Sequence, residues 1–188
     1  MSPILIVPPA AEPVTLAEAK LYLRTASPDE DDLVTVLIRA ARHLVEAASN
    51  RLLVSQTWRL VCDVWPPGGV LRLPLSPVTA ISGARVHAMQ GPPLPVDDGA
   101  LRLEPGSDPP LLRVAGLLPA PQWPRGGIEI DLVAGHGAPS DVPEPFRQAT
   151  LMLVARWFEN RGDAGGHGDA RLPADVLALI APFRRARL

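Results

Sequence analysis

The chain has 188 residues, a formal net charge of -2 and an apolar fraction of 47%, enough for one domain or for a helical body carrying a small β subdomain. The near-neutral charge excludes the clearly basic footprint of a protein that grips nucleic acid, and the single cysteine, Cys62, excludes an internal disulfide framework and a cysteine-rich zinc site. Its 23 prolines are spread between patterned segments, which points to many turns rather than to one disordered run.

The opening stretch, Met1 to Pro9, is apolar but short, lacks a basic leader and is cut by prolines. It reads as neither a signal peptide nor a spanning helix, and no other segment is long and apolar enough to cross a bilayer. The chain is therefore expected to be made and kept in a cytoplasm, away from membranes. Thr15, followed three residues later by Glu18, forms a capping box that starts a short helix ending near Arg24, with Leu16, Ala19, Leu21 and Leu23 as its apolar side. Ser27-Pro28-Asp29-Glu30 repeats the device, with proline in the first turn and acids where the helix dipole favours them. Leu33, Val34, Leu37, Ile38, Ala41, Leu44, Val45 and Ala48 then recur at helical spacing, so one face of a helix over 28–50 is buried, and Asn50 is its stop.

From Gln56 the period changes to two. Trp58, Leu60, Cys62 and Val64 alternate with Thr57, Arg59, Val61 and Asp63, the pattern of a strand. Further short strands are expected near Val70–Leu73, Val78–Met89, Ala100–Leu103, Leu111–Val114 and Ile128–Ala134, with proline and glycine in the gaps. Helical pattern resumes after Gly135-His136-Gly137. Ser140 or Asp141 can cap a helix over 143–161, whose stripe contains Phe146, Ala149, Leu153 and Trp157. A glycine-rich loop runs from Gly162 to Gly168, and Pro173 opens a last short helix with Val176, Leu177 and Ile180 inside. The tail, Phe183 to Leu188, is basic and reads as exposed. The expected fold class is α+β: a helical bundle formed by the N- and C-terminal segments, 12–52 and 141–188, with a small antiparallel β subdomain, 56–135, inserted between them.

No residue cluster demands catalysis. Asp29, Glu30, Asp31 and Asp32 are consecutive, so on a helix they cannot converge on one metal ion, and a helix start explains them. The glycine run lacks the Gly-Lys-Ser/Thr ending of a phosphate loop. None of His43, His87, His136 and His167 stands at a zinc-motif spacing. His136 with Asp141 is the one pair that could serve a hydrolytic site, and no nucleophile elbow accompanies it. Cys62, on the same side of its strand as Leu60, reads as a small core residue, and Trp58, Trp157 and Phe158 as core rather than a stacking platform for single strands. No catalytic residue, cofactor or metal is assigned.

The order and spacing of several motifs resemble the head-tail connector (adaptor) proteins of tailed phages and gene transfer agents. These are the capping box at Thr15 and Glu18, Gln56-Thr57-Trp58, the Val133-Ala134-Gly135-His136-Gly137 turn before the third helix, and Trp157-Phe158-Glu159-Asn160-Arg161. The likeness covers 14–58 and 142–184. It implies a structural subunit of a virion or phage-like particle. Such subunits form a homo-oligomeric ring, commonly of twelve copies, beneath the portal protein; the ring extends the DNA channel without specific DNA binding and docks stopper or tail-side proteins. By position, helices 28–50 and 143–161 would build the ring wall. Asp31, Asp32, Arg39, Arg42 and Glu46, read as segregated charge on an exposed helix side, are candidates for the ring interface. Phe183, Arg184, Arg185, Arg187 and Leu188 are candidates for portal contact. Two other readings stay open at this point: a small hydrolytic enzyme with its site around Gly135 to Asp141, and a DNA-packaging accessory protein.

Overall fold

The structure, a computed structural model, describes residues 1–116, 118–160 and 172–184. The chain divides into two compact units, one of 1–10 with 55–135 and one of 11–54 with 136–188. The class is α+β, with helices from both ends of the chain and antiparallel strands between them.

The helical unit begins at α1 (Leu16–Leu23), and its capping box forms as the sequence dictates. The Thr15 N–H donates to Glu18 Oε2 at 2.7 Å, and the Glu18 N–H donates to Thr15 Oγ1 at 3.1 Å. Arg24 closes α1 in the left-handed region. Ala19 is fully buried and Leu16 and Leu23 pack on the core, but Leu21 is 80% exposed. Five residues beyond Leu16 is nearly a turn and a half at 3.6 residues per turn, so Leu21 belongs to the outer face. A single 3-10 turn, Pro28–Glu30, leads into α2 (Asp31–Ser49), which Asn50 ends in the left-handed region. α3 (Glu144–Glu159) and α4 (Ala174–Ile180) complete the unit. Val34, Ile38, Ala41 and Val45 of α2, Phe146, Ala149, Leu153 and Val154 of α3, and Val176 and Ile180 of α4 form one buried core. Asp141 does not cap α3: it closes a 3-10 turn over Pro139–Asp141, its Oδ2 accepting from the Ala138 N–H at 2.8 Å.

The stripe of α2 carries two charged residues inward. Arg42 is 4% exposed and Glu46 9%, so the exposed charged side expected there exists only in part. Arg42 Nε donates to Glu12 Oε2 at 2.6 Å, and Arg42 Nη1 donates to Glu46 Oε2 at 3.0 Å. The second carboxylate oxygen of Glu46 accepts from the Leu53 N–H at 2.9 Å, and the Leu53 carbonyl accepts from the His136 N–H at 2.9 Å. The three places where the chain enters or leaves the helical unit are tied together by this one relay.

The β unit has eight strands: β1 (Ser2–Val7), β2 (Gln56–Cys62), β3 (Val70–Arg72), β4 (Val78–Val86), β5 (Leu94–Pro95), β6 (Leu101–Leu103), β7 (Leu111–Val114) and β8 (Ile128–Ala134). They form a five-stranded sheet in the order β1-β2-β8-β4-β5 and a three-stranded sheet in the order β3-β7-β6, antiparallel at every pairing. β8 alternates buried and half-buried residues along its whole length. Its Ile128, Ile130 and Leu132 meet Leu60 and Cys62 of β2, Val86 of β4, Leu101 of β6 and Leu112 of β7 in a common core. Cys62 is buried there, as the sequence implies, and burial pushes its thiol pKa up. Val64, expected to continue the alternation of Trp58, Leu60 and Cys62, lies beyond the end of β2 and is 68% exposed. β1 and β5 have no counterpart in the sequence reading.

Arg42→Ala would strand two carboxylates and is expected to destabilise the helical unit by about 3–5 kcal/mol. Arg39→Ala, one turn away and exposed, is expected to change stability by less than about 0.5 kcal/mol. Denaturant unfolding followed by far-ultraviolet circular dichroism separates the two; equal effects would remove Arg42 from its central place.

Candidate assembly surfaces

The expected ring-interface residues separate into two groups. Arg42 and Glu46 are spent inside the helical unit, where burial is the main influence on Glu46 and raises its pKa against the opposing pull of the Leu53 N–H and Arg42. Asp32 and Arg39 are exposed, and Asp31 is half-buried in an ion pair with Lys20. Arg39 Nε stands 3.8 Å from Glu12 Oε1, the looser neighbour of the Arg42 pair. Leu21, Tyr22 and Val36 are exposed apolar side chains on α1 and α2.

The expected portal-contact residues also divide. Phe183 is half-buried rather than exposed: its ring lies 5.5 Å from that of Phe146, and its carbonyl accepts from Arg51 Nε at 3.0 Å. Arg184 is exposed and donates from Nε to the Ala48 carbonyl at 3.0 Å. The root of the C-terminal arm is thus part of the helical core, which its aromatic residue and these two carbonyl bonds explain. Arg185, Arg187 and Leu188, like the glycine-rich loop with His167, lie outside the described residues.

The outward face of the larger sheet is charged. Arg59 of β2 makes a paired contact with Asp131 of β8, at 2.7 and 3.0 Å. Arg85 of β4 bonds Glu129 at 2.6 Å and reaches Asp131 at 3.4 Å. The hydrogen bonds from Arg59 hold the Asp131 carboxyl below the usual carboxylate range, with the Arg59 and Arg85 charges adding to the effect. His87 stacks on Trp123 with ring centres 4.1 Å apart, and its Nε2 is 3.3 Å from Glu129. The cations are matched by carboxylates, so this face offers no free positive strip to a phosphate backbone.

Among the described residues, no hydrolytic site assembles around Gly135 to Asp141. Asp141 is committed to the Ala138 N–H, and a Cβ at Gly137 would collide with its carboxylate, which explains the glycine there. His136 is half-buried beside Phe146, with ring centres 5.9 Å apart, and its enclosed Nε2 has no hydrogen-bond partner among the described residues. Burial, with Arg51 adding, lowers its pKa. No group of three or more His, Cys, Asp or Glu side chains able to hold a metal ion occurs among the described residues, and none of their helices is long and apolar enough to cross a membrane.

The remaining exposed surface is unusual in one place. Met1, Ile4, Leu5, Ile6 and Val7 are all between 42% and 57% exposed, so β1 is bare on both faces. β1 is also the outer strand of its sheet. Sequence reasoning missed this strand. Its signal was a run of four large apolar residues, Ile4-Leu5-Ile6-Val7, rich in β-branched types.

No protein-family model and no curated protein matches the chain. Solved structures do. A chain in the virion of a native gene transfer agent particle is 30% identical, with a TM-score of 0.82, over 100% of this chain and 97% of that one. The chain belongs to the head-tail connector (adaptor) family. A chain in the neck of the empty gene transfer agent particle, determined with C6 symmetry, is 29% identical at a TM-score of 0.82, over 100% of this chain and 97% of that chain. A chain in the neck of the native particle, determined with C12 symmetry, is 29% identical at a TM-score of 0.72, over 98% and 97% of the two chains. Likeness to these connectors runs through the helical and β units alike, and with it the chain's role is that of a structural part of the head-tail junction.

Because its pKa in the folded chain lies below the ordinary histidine value near 6.5, His136 contributes stability that is present above that value. As pH falls below 6.5 the unfolded chain takes up a proton that folded His136 resists, and this stability is lost as pH drops through the folded pKa. Unfolding midpoints measured between pH 7.5 and about 5 should show this acid loss. In His136→Gln the loss over the same range should shrink; an unchanged pH dependence would place its source elsewhere.

Proposed function

We propose that the chain is the repeating subunit of a twelve-copy neck ring that sits beneath the portal, extends the DNA channel and docks stopper or tail-side proteins. The observation that carries this reading is the full-length likeness to a neck chain in a particle resolved with C12 symmetry. The helices over 28–50 and 143–161 would form the ring wall, with Asp31, Asp32 and Arg39 meeting a neighbour. Arg42 and Glu46 are withdrawn from that surface by their burial. A channel through which DNA slides is best served by a wall without strong positive charge, and the formal charge of -2 supports such a wall. DNA then passes without specific binding.

The C-terminal arm is the proposed portal contact, with Arg184 as its first exposed residue and Arg185, Arg187 and Leu188 beyond it. Phe183 anchors the arm rather than touching the portal.

Deleting the gene from its parent element is expected to give filled or leaking heads beside separate, finished tails in electron micrographs; normally joined particles would sink the connector role. A chain ending after Arg184 keeps the Phe183 packing, so its unfolding midpoint should equal that of the full chain. Its recovery with the portal protein should fall about tenfold, as loss of several charged contacts implies. Undiminished recovery would remove the arm from the portal interface.

A further inference from the structure

The larger sheet has two open edges. On one side β1 presents Ser2–Val7 with no outer partner among the described residues. On the other, β5 covers β4 only at Arg85 and Val86, with the Val96 N–H adding a bond to the Ala84 carbonyl, so Val78–Gly83 has no ladder partner on its outer side among the described residues. Neither edge carries a charge: one reads Ser-Pro-Ile-Leu-Ile-Val and the other Val-Thr-Ala-Ile-Ser-Gly. Proteins normally blunt such edges with charged side chains or cover them.

We infer that β1 of one copy pairs antiparallel with Val78–Gly83 of the neighbouring copy, joining their sheets across the ring interface. The inference rests on the ring reading above. Three features support it. Strand direction alternates from β1 through β2 and β8 to β4, so a second copy placed head to tail beyond β4 presents its β1 antiparallel to β4. Heights across the sheet also match. Leu5 is level with Trp58, Leu132 and Ile81, and Ile4 with Arg59, Asp131 and Gly83. The bare stretch of β4 therefore stands at the height of Ile4–Val7, and β5 covers the height of Ser2. A ring needs two different, complementary surfaces on each subunit, which these edges supply. The pairing would satisfy main-chain groups on both strands and cover part of the apolar side chains of β1.

Pro3 gives the test its handle. A proline is tolerated in an edge strand where its nitrogen faces away from the neighbouring strand, so Pro3 and Leu5, two residues apart, direct their nitrogens outward. The register shift between β1 and β2 comes only after Leu5. Leu5→Pro then removes an outward donor and spares the ladder to β2.

A photo-crosslinking benzoylphenylalanine in place of Leu5, carried in otherwise complete particles, should on irradiation give a ladder of connector multimers. Mass spectrometry should map the junction to the peptide containing Val78–Gly83. Junctions only to the portal, to tail-side proteins or to helical segments would overturn the pairing while leaving the ring intact. Particles that join without this protein would overturn the ring reading itself. Leu5→Pro should keep the unfolding midpoint of the free protein and lower the yield of joined particles at least about tenfold. Normal yield would also overturn the pairing.

Discussion

The helical unit depends on a buried relay of charge and backbone. Arg42 holds Glu12 and Glu46, Glu46 holds the Leu53 N–H, and the Leu53 carbonyl holds the His136 N–H. Glu12, Leu53 and His136 each stand within two residues of a point where the chain passes between its two units. Burying a carboxylate is unfavourable, and the raised pKa of Glu46 records that cost. The two oxygens of Glu46 are nevertheless both used, one on a guanidinium and one on a backbone amide that would otherwise lie unsatisfied in the core. An apolar pair could fill the same volume, but it could not fix the direction of three separate chain segments. Polar geometry sets the places where the chain leaves the bundle, and apolar packing supplies the bulk of the stability.

The β unit solves a different problem. Strict alternation in β8 sends Ile128, Ile130 and Leu132 toward the three-stranded sheet and Glu129 and Asp131 toward the opposite face. The acids are then met by Arg59 from β2 and Arg85 from β4, so the central strand is cross-linked electrostatically to both neighbours. Exposed ion pairs are weak singly, but two arginines sharing two carboxylates across three strands also oppose any slip in register, since a one-residue shift would point them into the core. The two register shifts between β4 and β8 lie in the half of β4 that β5 leaves bare. Irregularity is therefore concentrated at the open edge and absent from β2 with β8.

Much of this was legible in the sequence because it rests on local rules. The capping box at Thr15 and Glu18, the stop at Asn50 and the alternation of β8 each follow from nearest-neighbour geometry. Arg42 and Glu46 depart from the expected exposed side because charge alone is no sign of exposure. Their spacing points inward, since Val34, Ile38, Arg42 and Glu46 follow one another every four residues along one face. Leu21 shows the converse, an apolar residue off the stripe. β1 was missed because an all-apolar segment with a proline carries no alternation, and its pairing partner lies more than fifty residues away at Trp58 and Leu60. Phe183 belongs to a tail that reads as exposed because its contacts, with Phe146 and Arg51, lie in other elements and are not local in sequence.

The same contrast fits the chain's place as a structural part of the head-tail junction. Its polar side chains with perturbed environments are paired off in structure: Glu46 with Arg42 and Leu53, Asp131 with Arg59 and Arg85, Glu18 with Thr15 and Arg147. His136 is half-buried beside Phe146, its Nε2 enclosed without a hydrogen-bond partner among the described residues, and Asp141 is engaged elsewhere. What remains unspent is surface: a bare apolar strand, an uncharged sheet edge, and exposed Asp32 and Arg39 on a helix flank. A free monomer gains nothing from leaving Ile4 to Val7 in water, whereas a subunit that meets its own copy gains burial and main-chain bonds at once. Reactive groups satisfied inside and complementary edges left open outside are the expected signature of a molecule selected to meet other proteins rather than to transform a ligand.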